Sequence, residues 1–449
     1  MSDLARSALQ ARIAKLPNLP PIPPPSTKAP WAEEGDEEDE EEDEVDGLGD
    51  LPSSASASSK TTPSAAATGR RAPPSQRTAD RLAAYSPISA SAHFAQALSV
   101  SVPASGLDHR VYYSPPVPAS SSATTDSSTV IACHHGAGYT GLSFACLAKE
   151  ITTVTKGELG ILSLDARSHG RTKPIQGDPA LQPEIEDNAG TTSSSADRSA
   201  PPSISDATGD TTPSKLGASP IDLSIERLTE DFVQLIKKVY PDPAEAPSLL
   251  LLGHSMGGTV LVRACPILQD AKYRVSGVIV LDVVEGSALE AMPLMHGLLA
   301  SRPAGFDSLE EAIEWHLSNR TIRNPTSARV SVPSMFTEST DDHMVKHKYV
   351  WRAPLHLTAP YWAGWFTGLS ASFLAVRSAR LLILAGTDRL DKTLMIGQMQ
   401  GKFQLEVLPD VGHMLHEDNP EKIAGILVEF WKRNERLPIG FKVKKVGES

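Results

Sequence analysis

Residues 249–260 read LLLLGHSMGGTV. Four leucines with no polar alternation suit a strand buried on both faces, and TVLVRA, which follows, predicts a helix reaching to Pro266. Between them Gly253-His254-Ser255-Met256-Gly257 fits G-x-S-x-G. In the strand-turn-helix setting this pattern is a nucleophile elbow. The serine is thrown out of the sheet in strained dihedrals, and glycines two positions to either side remove Cβ atoms that would collide with the packed strand and helix. Ser255 then projects from a helix N-terminus, where backbone N–H groups favour developing negative charge.

A serine hydroxyl is a poor nucleophile until a base takes its proton, and on this kind of scaffold the base lies late in the chain. His413, in LPDVGHMLHEDNP, follows the run Phe403–Leu408 on a glycine-containing loop and precedes a helix opening at Pro420. His416 is the competitor, nearer that helix and without the adjacent glycine. Two strands end in an aspartate able to orient the imidazole: Asp282 in VIVLDVVEG and Asp388 in LLILAGTDRLD. Chain order Ser, Asp, His accommodates both, and the general layout of the α/β-hydrolase fold prefers Asp388. An oxyanion hole needs two N–H donors. Met256 follows the nucleophile, and Ala137 lies in His135-Gly136-Ala137-Gly138, where small residues let backbone approach a carbonyl. His134 and His135 have no neighbours in sequence to complete a metal site and read as structural. In Asp165-Ala166-Arg167-Ser168-His169-Gly170, a D-x-R-x-H-G turn, the aspartate and arginine read as loop braces.

Further apolar runs occur at Val130–Cys133, Leu159–Leu164, Val278–Val284 and Leu381–Ala385, with helical periodicity between them at Ile225, Leu228, Phe232, Leu235 and Val239 and at Ile423, Ile426, Leu427 and Phe430. Asn419 and Pro420 form an N-cap and N1 pair for the last helix. Alternating strands and helices predict a doubly wound, mostly parallel α/β sheet, the α/β-hydrolase fold. Residues 287–375 break the alternation and carry Tyr361, Trp362, Trp365 and Phe366, which predicts a cap inserted over the carboxyl edge of the sheet, its aromatics serving packing before substrate contact.

The body is 85–440. Residues 1–84, rich in proline, serine, alanine and acid, predict a disordered tail, and 173–219 a low-complexity surface insertion; 114–128 reads as a long hairpin loop and 441–449 as a short C-terminal tail. The formal charge of -12 is local: residues 33–46 carry 12 of the 54 carboxylates, leaving 42 acids against 42 bases. A neutral body with an acidic, self-repelling segment argues against nucleic-acid binding. Three cysteines fit no disulfide framework or metal spacing and point to a reducing compartment, cytoplasm or nucleus. No apolar run is long enough to cross a bilayer.

DARSHGRTK (165–173), GHSMGG (253–258), LDVVEGSA (281–288), YWAGWFTGLS (361–370), LAGTDRLDKTLMIGQMQGKFQLEVLP (384–409) and GHMLHEDNPEKIA (412–424) together resemble the protein phosphatase methylesterase family. The resemblance implies a serine esterase that removes the methyl ester from the C-terminal leucine of the protein phosphatase 2A catalytic subunit, its partner, with no cofactor and no metal. It also implies that the acid is Asp282, in D-V-V-E-G, with the D-R-L-D-K segment on the substrate side. Ala137 stands where the family often has a glycine, and only its N–H is needed. A small-molecule esterase of the same fold and a non-catalytic phosphatase binder are the competing expectations.

Overall fold

The computed structural model describes residues 82–117, 128–175, 221–339, 346–386 and 390–435. Most of the expected tail (1–81), most of the hairpin loop and of the insertion, Asp388 and the C-terminal tail lie outside the described residues.

The main sheet is built from β1 (Gln96–Val102), β2 (Leu107–Ser114), β3 (Thr129–His134), β4 (Leu159–Leu164), β5 (Ser248–His254), β6 (Val275–Leu281), β7 (Ala379–Leu384) and β8 (Gln404–Val407). Their spatial order is β1-β2-β4-β3-β5-β6-β7-β8. β1 pairs antiparallel with β2 and β2 with β4, while every pairing from β4 to β8 is parallel. β4 lies between β2 and β3, so the segment 114–128 joins strands that are not neighbours and is not the expected hairpin loop. Lys173–Pro174 pairs antiparallel with β2, so ordered backbone continues past the expected start of the insertion at 173.

β3 and β4 are buried at every position, and β5 at all but its first, which is why the sequence shows no polar face there. The helices α1 (Ala145–Thr155), α2 (Ile225–Val239) and α3 (Met256–Asp270) cover the central strands. Ser224 caps α2 by accepting from the Arg227 N–H, and α2 buries Leu228, Phe232 and Leu235 on one stripe. The last helix, Pro420–Glu435, has the expected cap: Asn419 Oδ1 accepts from the Lys422 N–H at 3.1 Å. One boundary differs from expectation. α3 does not stop before Pro266 but runs through it to Asp270. Pro266 sits on the exposed side, and the burial of Ala264, Cys265 and Leu268 around it outweighs the backbone bond that proline removes.

Between β6 and β7 the chain leaves the sheet to form the cap. This segment holds the helices Glu285–Ser301, Leu309–Ser318, Pro325–Ser331, Trp362–Phe366 and Leu369–Ala375 and a three-stranded antiparallel sheet of Gly305–Phe306, Tyr349–Trp351 and Phe336–Glu338. The cap has its own core, including Phe306, Ile313, Ile322, Val332 and Phe336, into which Met414 of the body inserts. Among the described residues no helix is long and apolar enough to cross a membrane.

Candidate active site

β5 ends at His254 and α3 begins at Met256, leaving Ser255 to make the whole turn. Its φ of 50° and ψ of -123° lie where non-glycine residues rarely go. The flanking glycines are required by close approach. A Cβ on Gly253 would lie 2.4 Å from the Gly257 carbonyl oxygen, and one on Gly257 would lie 2.2 Å from the His134 carbonyl oxygen of β3. The elbow is therefore wedged between its own helix and the neighbouring strand, with no side chain able to enter.

Asp282, directly after β6, also has a positive φ, 49°. Its backbone N–H donates to the Ile383 carbonyl (2.8 Å), Oδ1 accepts from the Ala385 N–H (2.9 Å), and Oδ2 lies 2.7 Å from His413 Nδ1. The carboxylate is fully buried, so it presents one oxygen to the imidazole while the other is fixed by backbone. That arrangement puts the Nδ1 proton toward Asp282 and leaves Nε2 as the basic atom.

Ser255, Asp282, His413, Ala137 and Met256 all line one cavity of about 220 Å³. The Ser255 hydroxyl has no hydrogen-bond partner among the described residues, His413 included. The Ala137 N–H is likewise without one, and Met256, first in its helix, has no carbonyl four residues back within the helix to bond. Two N–H groups thus remain available beside the serine. His416 is not part of this wall. It is fully buried, stacked on Phe144 at 4.6 Å between ring centroids.

The loop carrying Ala137 is held by two histidines. His135 donates from Nδ1 to the Gly136 carbonyl (2.7 Å) and accepts at Nε2 from the Ala166 N–H (2.9 Å). His169 donates from Nδ1 to the Arg167 carbonyl (2.8 Å) and accepts at Nε2 from the Gly138 N–H (2.9 Å). Accepting at one nitrogen fixes both rings as neutral, and burial pulls His169 down to about 4 and His135 well below the usual histidine range. Arg167 makes a buried two-pronged pair with Asp231, both contacts at 2.7 Å. Asp165 accepts from the Gly141 and Arg171 N–H groups, although burial still raises its carboxyl to about 6.

His254 has a place in this arrangement that the sequence pattern does not assign. Fully buried, it donates from Nε2 to the His413 carbonyl (2.9 Å). Its position within the elbow is the only signal of a role in the sequence, and nothing there names its partner. The role of His169 had a signal, the fifth position of the D-x-R-x-H-G turn.

Trp362, Trp365 and Phe366 of the cap line the same cavity. The indole N–H groups of Trp365 and Trp362 donate to the Leu223 carbonyl (2.7 Å) and Thr358 Oγ1 (2.8 Å), and the Tyr361 hydroxyl donates to the Ile221 carbonyl (2.8 Å). The aromatic group therefore both fastens the cap to the body and walls the cavity.

Residues 131–426 match the model of the α/β hydrolase family. The chain is 44% identical over 375 residues to a Cryptococcus neoformans protein named protein phosphatase methylesterase 1, covering 79% of each chain. A Schizosaccharomyces pombe protein of the same name is 38% identical over 314 residues, 70% of this chain and 77% of the relative. Among solved structures, E-2-(acetamidomethylene)succinate hydrolase superposes with a TM-score of 0.50 at 15% identity, over 75% of this chain and 100% of that one, a likeness of fold.

Proposed function

From the premise that the chain belongs to the protein phosphatase methylesterase family of α/β hydrolases and is a carboxylic ester hydrolase, we propose that it demethylates the C-terminal leucine of the protein phosphatase 2A catalytic subunit. The reaction proceeds through an acyl-enzyme on Ser255. The observation that carries the residue roles is the 2.7 Å contact between His413 Nδ1 and Asp282 on the wall that Ser255 shares.

Ser255 Oγ attacks the ester carbonyl as His413 Nε2 takes its proton, and Asp282 holds and stabilises the resulting imidazolium. Negative charge on the tetrahedral oxygen is met by the N–H groups of Ala137 and Met256. The C–O bond to methoxide breaks as His413 returns the proton, releasing methanol. Water then attacks the acyl-enzyme with His413 again as base, freeing the carboxylate and regenerating the serine.

A methyl leaving group offers almost no surface, so selection falls on the acyl side, which the mostly apolar cavity beneath the cap is shaped to receive. Three free, buried cysteines suit a reducing compartment, and we place the reaction in the cytoplasm or nucleus. Incubation with methylated phosphatase should release methanol, and a fluorophosphonate probe should label the protein but not Ser255→Ala. Probe labelling without methanol release from the phosphatase would favour a small-molecule ester as substrate. Absence of labelling would reject a serine esterase.

A further inference from the structure

Among the described residues that wall the cavity, Arg302 supplies the only lysine or arginine side chain, and Asp282, committed to His413, the only carboxylate. Arg302 follows the cap helix Glu285–Ser301. Its guanidinium lies over the Trp351 ring, 3.6 Å from the centroid. Trp351 in turn donates from its indole nitrogen to the Pro303 carbonyl (2.8 Å) and packs on Phe336 at 4.3 Å. The ring thus carries the cation on its face while pinning the backbone next to it, so the side chain is held in place before any ligand arrives.

Packing on tryptophan accounts for the flat face of the guanidinium but not for its edge. A guanidinium has five N–H donors. Among the described residues none of them meets a carboxylate or a carbonyl, in contrast to Arg167, whose buried guanidinium is matched by Asp231. Burial lowers Arg302 to about 10, which still leaves it cationic at neutral pH. An oriented, partly desolvated and unneutralised cation on the wall of a mostly apolar cavity is a site for an anion, and the planar fork matches a carboxylate.

We propose that Arg302 is a carboxylate subsite of this cavity, pairing with a carboxylate of the peptide whose ester is cleaved. This rests on the esterase reading above. The carboxylate has two possible sources: an acidic side chain upstream of the ester, present before cleavage, or the terminal carboxylate formed by cleavage. The first would make Arg302 a determinant of substrate choice, the second a determinant of product retention.

Calorimetric titration of full-length Ser255→Ala protein separates these without requiring turnover. The probes are acetylated peptides ending in leucine: one a neutral amide, one a free acid with no other charge, and a set of amides with glutamate at the second, third or fourth position from the end. At least one carboxylate peptide is expected to bind about tenfold more tightly than the neutral amide, the gain typical of a charge-assisted pair. Preference for the free acid identifies the product, and preference for a glutamate amide identifies the substrate side chain. In Ser255→Ala/Arg302→Gln the preference should vanish, while Arg302→Lys should keep part of it. Equal binding of all peptides, no binding of any, or a preference that survives Arg302→Gln would overturn the proposal. If Arg302→Gln fails to fold by thermal melting, loss of the preference in screening salt with Arg302 intact takes its place, and a salt-insensitive preference overturns the proposal. Methanol release by the unmutated protein tests the esterase reading separately.

Discussion

His254 Nε2 donates to the carbonyl oxygen of His413 at 2.9 Å, so the residue before the candidate nucleophile holds the backbone of the candidate base. The two rings also touch, 4.6 Å between centroids. Replacing His254 by alanine removes the only side-chain donor to that carbonyl among the described residues and opens a cavity beneath the loop. We expect kcat to fall about 10²-fold with little change in KM, as for a misplacement of roughly 1 Å in a reacting group. His254→Gln, which keeps an N–H donor, should recover part of the rate. Steady-state kinetics on a methyl-ester peptide decide it, and an unchanged kcat in the alanine variant would remove His254 from the positioning scheme.

Asp282→Asn preserves shape but replaces the acceptor that holds the Nδ1 proton of His413 with a group that can present an N–H, favouring the wrong tautomer. A fall in kcat on the order of 10⁴-fold is expected, with thermal stability close to that of the parent protein. Fluorophosphonate labelling should slow in parallel. Labelling at the parental rate would mean that a different carboxylate orients the base.

Gly257→Ala would drive a Cβ to 2.2 Å from the His134 carbonyl oxygen and 2.7 Å from that of His135. Both obstacles are backbone, so β3 must separate from the elbow. A loss of about 3 kcal/mol or more is expected, read as a lowered midpoint in denaturant. Gly425→Ala, at a half-buried helix position where a Cβ meets nothing within 4 Å, should be neutral or slightly stabilising and serves as the control.

Acid should unfold the protein early. Burial lowers His109, His134 and His169 to about 4 and His254 and His316 to about 3, with His135 and His416 also well below their usual range. Below about pH 6.5 the unfolded chain takes up protons at these sites that the folded chain refuses. Each one then costs about 1.4 kcal/mol of stability per pH unit until its folded value is reached. Asp165, raised to about 6, and Glu417, also raised by burial, act oppositely because the folded state protonates first. The histidines outnumber them. Melting temperature should therefore fall continuously from pH 6.5 toward pH 4, and a flat profile over that interval would show that these rings are not buried neutral.

The Ser255 hydroxyl, without a hydrogen bond among the described residues, and the aromatic wall of the cap point to substrate seating as the step that completes the serine–imidazole contact. The methylated phosphatase should then be turned over faster, per kcat/KM, than a free hexapeptide ending in the same ester. Equal values would show that docking of the phosphatase body adds nothing.

The sequence by itself determined the sheet, the elbow and the start of the last helix. Leucine and valine runs without polar alternation have no stable place except between two helical layers, and G-x-S-x-G at such a run's end has little other use. It also placed His413 late in the chain after the final strand. Strand ends and chain order left open which aspartate orients that ring, Asp282 or Asp388, and only the family resemblance pointed to Asp282. The tertiary structure joins Asp282 to His413, 131 positions further along the chain, because β6, β7 and β8 lie side by side, the Ala385 N–H fixing the second oxygen. The buried histidine braces and the setting of Arg302, which meets no carboxylate among the described residues, were likewise beyond reach: a histidine's tautomer and an arginine's neighbours depend on which backbone groups and carboxylates come within 3 Å, and those come from segments far apart in the chain.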